Sequence, residues 1–290
     1  MNDLLDPAFV AELEALRRRM EIRARSGGAG EHLAKRRGGS AEFQDHRPYA
    51  PGDDLRRVDW AAYARTGEPV IKLFRTEEDV VVRLLVDTSV SLDHGEPSKF
   101  DVARRVAAAV GYMTLAGSQR AQVVSVGEGI KQVGRSARSR GGLVSLLKTL
   151  AGLQIGGGTD LAKGVDAVLG RSPRPGMLVV ISDFLDPGPV TAALSRARSS
   201  GHDLALVQVL SPDEMEPSFE GDWTLEDAET GAVVDVTMDG AALEAYMLRL
   251  TGLCEELRAF SRKHGATYVR MRTDEELETV IRRFVARGID

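Results

Sequence analysis

Apolar positions along this chain fall into two alternating rhythms. Val80-Val81-Val82-Arg83-Leu84-Leu85-Val86 is a continuous apolar run broken only by Arg83, and a run so rich in β-branched residues reads as a strand buried on both faces of a sheet. Ala121–Val126, Met177–Ile181, Leu204–Leu210 and Thr267–Met271 read the same way. Helical spacing falls between them: Phe100 to Met113, Leu143 to Leu150, the stretch from the Gly156-Gly157-Gly158-Thr159-Asp160 loop to Leu169, Val190 to Ser200, and Ala242 to His264. A last helix is expected from Glu275 to Ala286. Gly127-Glu128-Gly129 is a turn signal that lets Ile130–Val133 return as an antiparallel edge strand. Residues 221–237 read as a β-hairpin insertion with Glu229-Thr230-Gly231 at its tip. Strands and helices in alternation predict an α/β, Rossmann-like fold, with a mainly parallel central sheet covered by helices on both faces and right-handed crossovers.

The first 79 residues follow another pattern. Phe9, Val10, Leu13, Leu16, Met20 and Ile22 form an apolar stripe on a helix from Pro7 to about Arg25, which Ser26-Gly27-Gly28-Ala29-Gly30 ends. A mobile basic loop through Lys35-Arg36-Arg37 is expected next. Asp53 or Asp54 can cap a short helix reaching Arg65, and Pro69–Arg75 reads as a strand. The expected organisation is a helical and extended segment, 1–79, packed on a main domain, 80–290.

Composition narrows the chemistry. The 290 residues carry a net charge of −5, which gives no general support for nucleic-acid binding. Eight basic and two acidic residues between Arg17 and Arg37 make that segment +6 and the rest −11. The segment could touch nucleic acid or an acidic protein, but it lacks interleaved aromatics, so a solvated helix face and loop is favoured. Cys254 is the only cysteine, so no internal disulfide can form. No signal peptide and no membrane-spanning stretch are evident, and the chain reads as cytoplasmic.

In an open parallel sheet, ligands bind beyond the carboxyl ends of the strands, where strand order reverses. Asp87 ends one strand and is followed by Ser89 and Ser91; Asp183 ends another; Thr159 follows three glycines before a helix. Five oxygens from Asp87, Ser89, Ser91, Thr159 and Asp183 would then converge on one rim. Such a set suits a hard cation, Mg²⁺ or Mn²⁺, with room for water or a partner's carboxylate. Taken singly, each feature is an ordinary strand end or helix cap; their order along the chain makes the case. A lysine standing between the carboxylates would exclude the cation.

Other chemistries fit less well. A phosphoesterase using Asp87 would need a second Asp two residues on, where Ser89 stands. No Gly-Lys-[Ser/Thr] phosphate loop, G-x-G-x-x-G dinucleotide turn or Gly-x-Ser-x-Gly elbow is present, and the five histidines are scattered. The block Asp53, Asp54, Arg56, Arg57, Asp59 and Trp60 has two readings: a buried ion-pair cluster with Trp60 as its apolar anchor, which is preferred, or a partner-docking surface.

The Asp87-x-Ser89-x-Ser91, Thr159 and Asp183 set resembles the metal-ion-dependent adhesion site of the von Willebrand factor A (vWA) fold. The block from Tyr49 to Trp60, with Ala64-Arg65, Ser182-Asp183-Phe184 and Asp227–Gly231, resembles a narrower group, the domain-of-unknown-function 58 (DUF58) family. That resemblance implies a non-catalytic, chaperone-like adaptor. Such proteins are often encoded beside MoxR-type AAA+ ATPases, and the adaptor would use Mg²⁺ to engage an acidic residue of that ATPase or of another protein. Many relatives carry membrane-spanning segments before this region, which this chain lacks.

Overall fold

A computed structural model describes residues 4–26, 42–51, 53–75, 80–171, 174–186, 188–217, 221–229 and 231–286. The apolar run after residue 80 forms strand β3 (Val81–Asp87), buried at every position beyond Val81. Arg83 is carried inside with it, at 6% exposure. Strands β4 (Arg120–Gly127), β7 (Met177–Ser182), β8 (Asp203–Leu210) and β11 (Thr267–Arg272) lie parallel to β3 in one sheet. The order is β11-β8-β7-β3-β4-β5, with β5 (Gly129–Val133) returning antiparallel along β4 as the turn at 127–129 predicts. A two-residue strand, β6 (Ala137–Arg138), pairs with the other end of β4.

Helices cover both faces. One core gathers α1 (Pro7–Ser26), α3 (Lys99–Ala116), α4 (Leu143–Ala151) and α9 (Leu277–Val285); the other gathers α5 (Leu161–Arg171), α6 (Val190–Ser199) and α8 (Gly240–His264). This is the expected mixed α/β architecture. Strand order reverses between β7 and β3, so the chain leaves the sheet at its switch point through Asp87 and Asp183. A single-turn helix, α7 (Pro212–Met215), follows β8 and is closed by a reciprocal Ser211–Glu214 capping box. The inserted hairpin is β9 (Gly221–Glu226) paired with β10 (Val233–Met238), separate from the main sheet. No helix among the described residues is long and apolar enough to cross a membrane.

The chain divides into two compact units, 36–79 and the remainder. The expected 1–79 segment is therefore not one piece. Helix α1 belongs to the larger unit, with Leu4, Phe9, Leu13 and Leu16 buried in its first core and Arg19 ion-paired to Glu278 of α9. The loop 27–41 and the side chains of 21–26 lie outside the described residues, so most of the basic segment does too; Arg18 pairs with Glu14.

The smaller unit departs from expectation in three ways. The helix capped near residue 53 is two elements: a 3-10 turn, Leu55–Arg57, capped by Asp54, and α2 (Trp60–Thr66), capped by Asp59 through the Ala61 and Ala62 N–H groups. The ion-pair cluster is not a buried one. Trp60 is 59% exposed and meets Tyr63 edge-on, and the Arg56 side chain is almost wholly exposed as it pairs with Asp54. Among the described side chains of the cluster only Asp59 is buried; it also bonds His46. An unanticipated strand, β1 (Glu42–Pro48), pairs antiparallel with β2 (Val70–Arg75). Its sequence is polar and ends in proline, so no alternation announces it.

Candidate functional site at the switch point

Asp87 is fully buried where β3 ends. Its Oδ1 accepts the Ser89 N–H at 2.9 Å, and its Oδ2 accepts the Ser182 hydroxyl at 2.6 Å and the Thr159 hydroxyl at 3.4 Å. Ser89 and Ser91 hydroxyls lie 2.9 Å apart. Burial raises the Asp87 carboxyl to about 6, and the nearby Asp183 charge adds to the rise; the Ser182 and Ser89 hydrogen bonds oppose it.

Backbone ties hold the rim in shape. Val90 N–H donates to Gly157 O, Gly156 N–H to Thr88 O, Thr88 N–H to Val126 O, and Asp160 N–H to Gly127 O. Gly157 supplies the left-handed conformation (φ 70°) that the loop needs. Asp160 accepts the Lys163 N–H and Asp186 the Leu161 N–H, so the start of α5 is capped by its own loop and by the loop after β7.

Asp183 has other partners. Its Oδ2 receives the Lys99 ammonium at 2.7 Å and its Oδ1 the Leu185 N–H at 3.1 Å. Lys99, 1% exposed at the start of α3, also reaches Glu214 Oε1 at 2.5 Å. Burial pushes the Lys99 ammonium down, but Asp183 and Glu214 together outweigh it and hold the pKa above its usual range. Phe184, next in sequence, is buried with a left-handed backbone (φ 58°), and its N–H donates to Ser182 Oγ. A non-glycine residue in that region is strained and is held there by its surroundings.

The structure thus links Asp87, Ser89, Ser91 and Thr159, and leaves Asp183 beside them on a lysine. Lys99 bonds to Asp183 and Glu214, while the partners of the Asp87 carboxylate are the Ser89 N–H and the Ser182 and Thr159 hydroxyls. Asp87, Asp183 and Glu214 against Lys99 leave two negative charges in this cluster, and a second ammonium, that of Lys131, donates to Thr88 O and Gly156 O on the adjoining loops. The donor set is oxygen throughout, as a hard cation requires. The residues therefore fit Mg²⁺ or Mn²⁺ in donor chemistry. Among the described residues no three His, Cys, Asp or Glu side chains are grouped to hold a metal, so any cation here would depend on the hydroxyls.

Four residues at this rim escape sequence reasoning. Ser182 could have been found by register: Val86 lies opposite Ile181, so the next pair is Asp87 and Ser182. Lys99 and Glu214 read as surface charges, and only the fold brings them to Asp183. Glu229, at the hairpin tip, accepts the Thr159 N–H at 3.0 Å.

Fold and rim together define an α/β domain with an oxygen-lined site at its switch point. The chain belongs to the family described as "Protein of unknown function DUF58", whose model matches residues 45–252. An uncharacterized protein of Mycobacterium tuberculosis is 33% identical over 98% of this chain and 91% of its own length. Among solved structures, BatB from Bacteroides thetaiotaomicron is similar over 72% of this chain and 98% of its own, at 15% identity and a TM-score of 0.48. A VWA domain of SpRpn10 is similar over 73% and 98%, at 11% identity and a TM-score of 0.43.

Proposed function

We propose that this protein is a non-catalytic, metal-dependent protein-binding adaptor, and that a MoxR-type AAA+ ATPase is its partner. The observation that carries the reading is the buried Asp87 carboxylate, set among hydroxyls at the switch point and without an ion-pair partner among the described residues. Asp87, Ser89, Ser91 and Thr159 would hold Mg²⁺ or Mn²⁺, with Asp183 alongside. Bound there, the cation would offer a positive centre to an acidic side chain of the partner. Chemistry at the rim supports binding over turnover: Ser89 and Ser91 bond to each other, Thr159 bonds to Asp87, and among the described residues no imidazole is hydrogen-bonded to any of the three. Membership of the DUF58 family supports the choice of ATPase through the resemblance set out above.

The test is a pull-down with a purified MoxR-type ATPase as bait, in Mg²⁺ and in EDTA. Capture should need Mg²⁺ and should be lost in Asp87→Ala, with the circular dichroism spectrum unchanged. Capture that survives both EDTA and the substitution refutes the metal-dependent reading.

A further inference from the structure

Ribbon β9–β10 projects from the larger unit with all of β9 and most of β10 exposed. Its tip nevertheless reaches the rim. Glu229 Oε2 accepts the N–H of Thr159, the residue whose hydroxyl faces Asp87. The tip is built to present that carboxylate: Asp227 Oδ1 accepts the Glu229 N–H at 2.9 Å, and Asp227 and Gly231 close the turn through backbone bonds to Ala232 and Asp227. Gly158 passes close beneath it. A Cβ there would lie 3.2 Å from Glu229 Oε2 and 3.1 Å from Glu128 Oε1. Two carboxylates therefore crowd the same glycine, with the Lys131 ammonium bonded to Gly156 O on the same loop. A mostly solvated hairpin whose tip meets the rim through a charge-assisted bond makes a contact that can open locally.

We propose that the hairpin is a latch on this site: Glu229 holds the 156–160 loop, and an acidic side chain from a partner competes with it. The latch rests on the metal-dependent reading above. It predicts that removing Glu229 frees the Thr159 amide and improves the site for an external acid.

Three measurements on the full chain separate the possibilities. Mn²⁺ binding is read by electron paramagnetic resonance, exchange of the Thr159 amide by NMR, and affinity for a fluorescein-labelled hexaglutamate peptide by anisotropy in Mn²⁺. In Glu229→Ala the Thr159 amide should exchange about tenfold faster, the effect of losing a bond to a charged acceptor. Hexaglutamate should bind about tenfold tighter. Glu128→Ala removes the same charge without touching the Thr159 N–H, and should leave exchange unchanged and the peptide affinity much less altered. Equal peptide gains in the two variants, or unchanged exchange in Glu229→Ala with Mn²⁺ binding intact, overturn the latch alone. Absence of Mn²⁺ binding from the unmodified chain overturns the metal reading and the latch together.

Discussion

Replacing Asp87 with Asn should make the metal-free protein more stable at neutral pH, although it removes a fully buried, hydrogen-bonded group. The reasoning follows from the raised pKa. Folding lifts the carboxyl from its ordinary value near 4 to about 6, which amounts to about 3 kcal/mol of disfavoured charge once the group is ionised in both states. The sign is fixed by proton uptake. Between about pH 4 and 6 the folded chain holds a proton that the unfolded chain has released, so stability falls as pH rises through this window and stays low above it. Asparagine carries no charge and keeps an acceptor for the Ser89 N–H, while the Ser182 hydroxyl must turn to accept instead of donate. Losing that charge-assisted bond returns about 1 kcal/mol of the gain. The variant should therefore be about 2 kcal/mol more stable at pH 7.5 in EDTA, or about 4–8 °C in Tm for a protein of this size. At pH 4 the charge contribution should shrink below about 1 kcal/mol. Mg²⁺ should raise the Tm of the unmodified chain and leave the variant unmoved. Thermal melts followed by circular dichroism, at both pH values and with EDTA or Mg²⁺, read all four corners. A variant less stable than the parent at pH 7.5 in EDTA would show that Asp87 is not a destabilising charge, and the case for a counter-cation would go with it.

Lys99→Met should cost about 3–5 kcal/mol at pH 7.5, because it strands the Asp183 and Glu214 carboxylates without their ammonium; urea unfolding measures the deficit, and a loss below about 1 kcal/mol refutes the pairing. In the smaller unit, Arg47 grips Asp53 with two hydrogen bonds, 2.6 and 2.7 Å, and, with the Ala50 N–H, lowers its carboxyl to about 2. Carbon-detected NMR titration should find Asp53 near that value and Arg47→Ala should bring it back toward 4. The stabilising contribution of this depressed group is present above pH 4 and lost as the pH falls through 2; an Asp53 that already titrates near 4 in the parent chain refutes the pairing.

Much of this molecule was legible because its key positions are punctuated locally. Strands β3, β7 and β8 are runs of buried β-branched and aliphatic residues; Arg83 and Gln208 stay buried within such runs, while Asp87 and Asp183 stand where two of them end. Asp87, Ser89, Ser91 and Thr159 could be placed on one rim for that reason. Asp183 was placed at the correct strand end, but the sequence is silent on its company. Lys99 and Glu214 lie 84 and 115 positions apart from their respective partners, Asp183 and Lys99, and a lysine at a helix start ordinarily reads as solvated. Strand β1 was hidden because most of its residues are polar, and its mate is β2. Trp60 misled by chemistry: tryptophan beside mixed charges suggests an anchor, yet this one lies open to solvent.

The peptide straps between the two hydroxyl-bearing loops bear on how any tug at the rim is felt inside. Val90 and Gly157, and Gly156 and Thr88, are yoked main chain to main chain, so neither loop can be drawn outward alone. A pull on a serine at one side is relayed through these straps toward the first turn of α5 at the other.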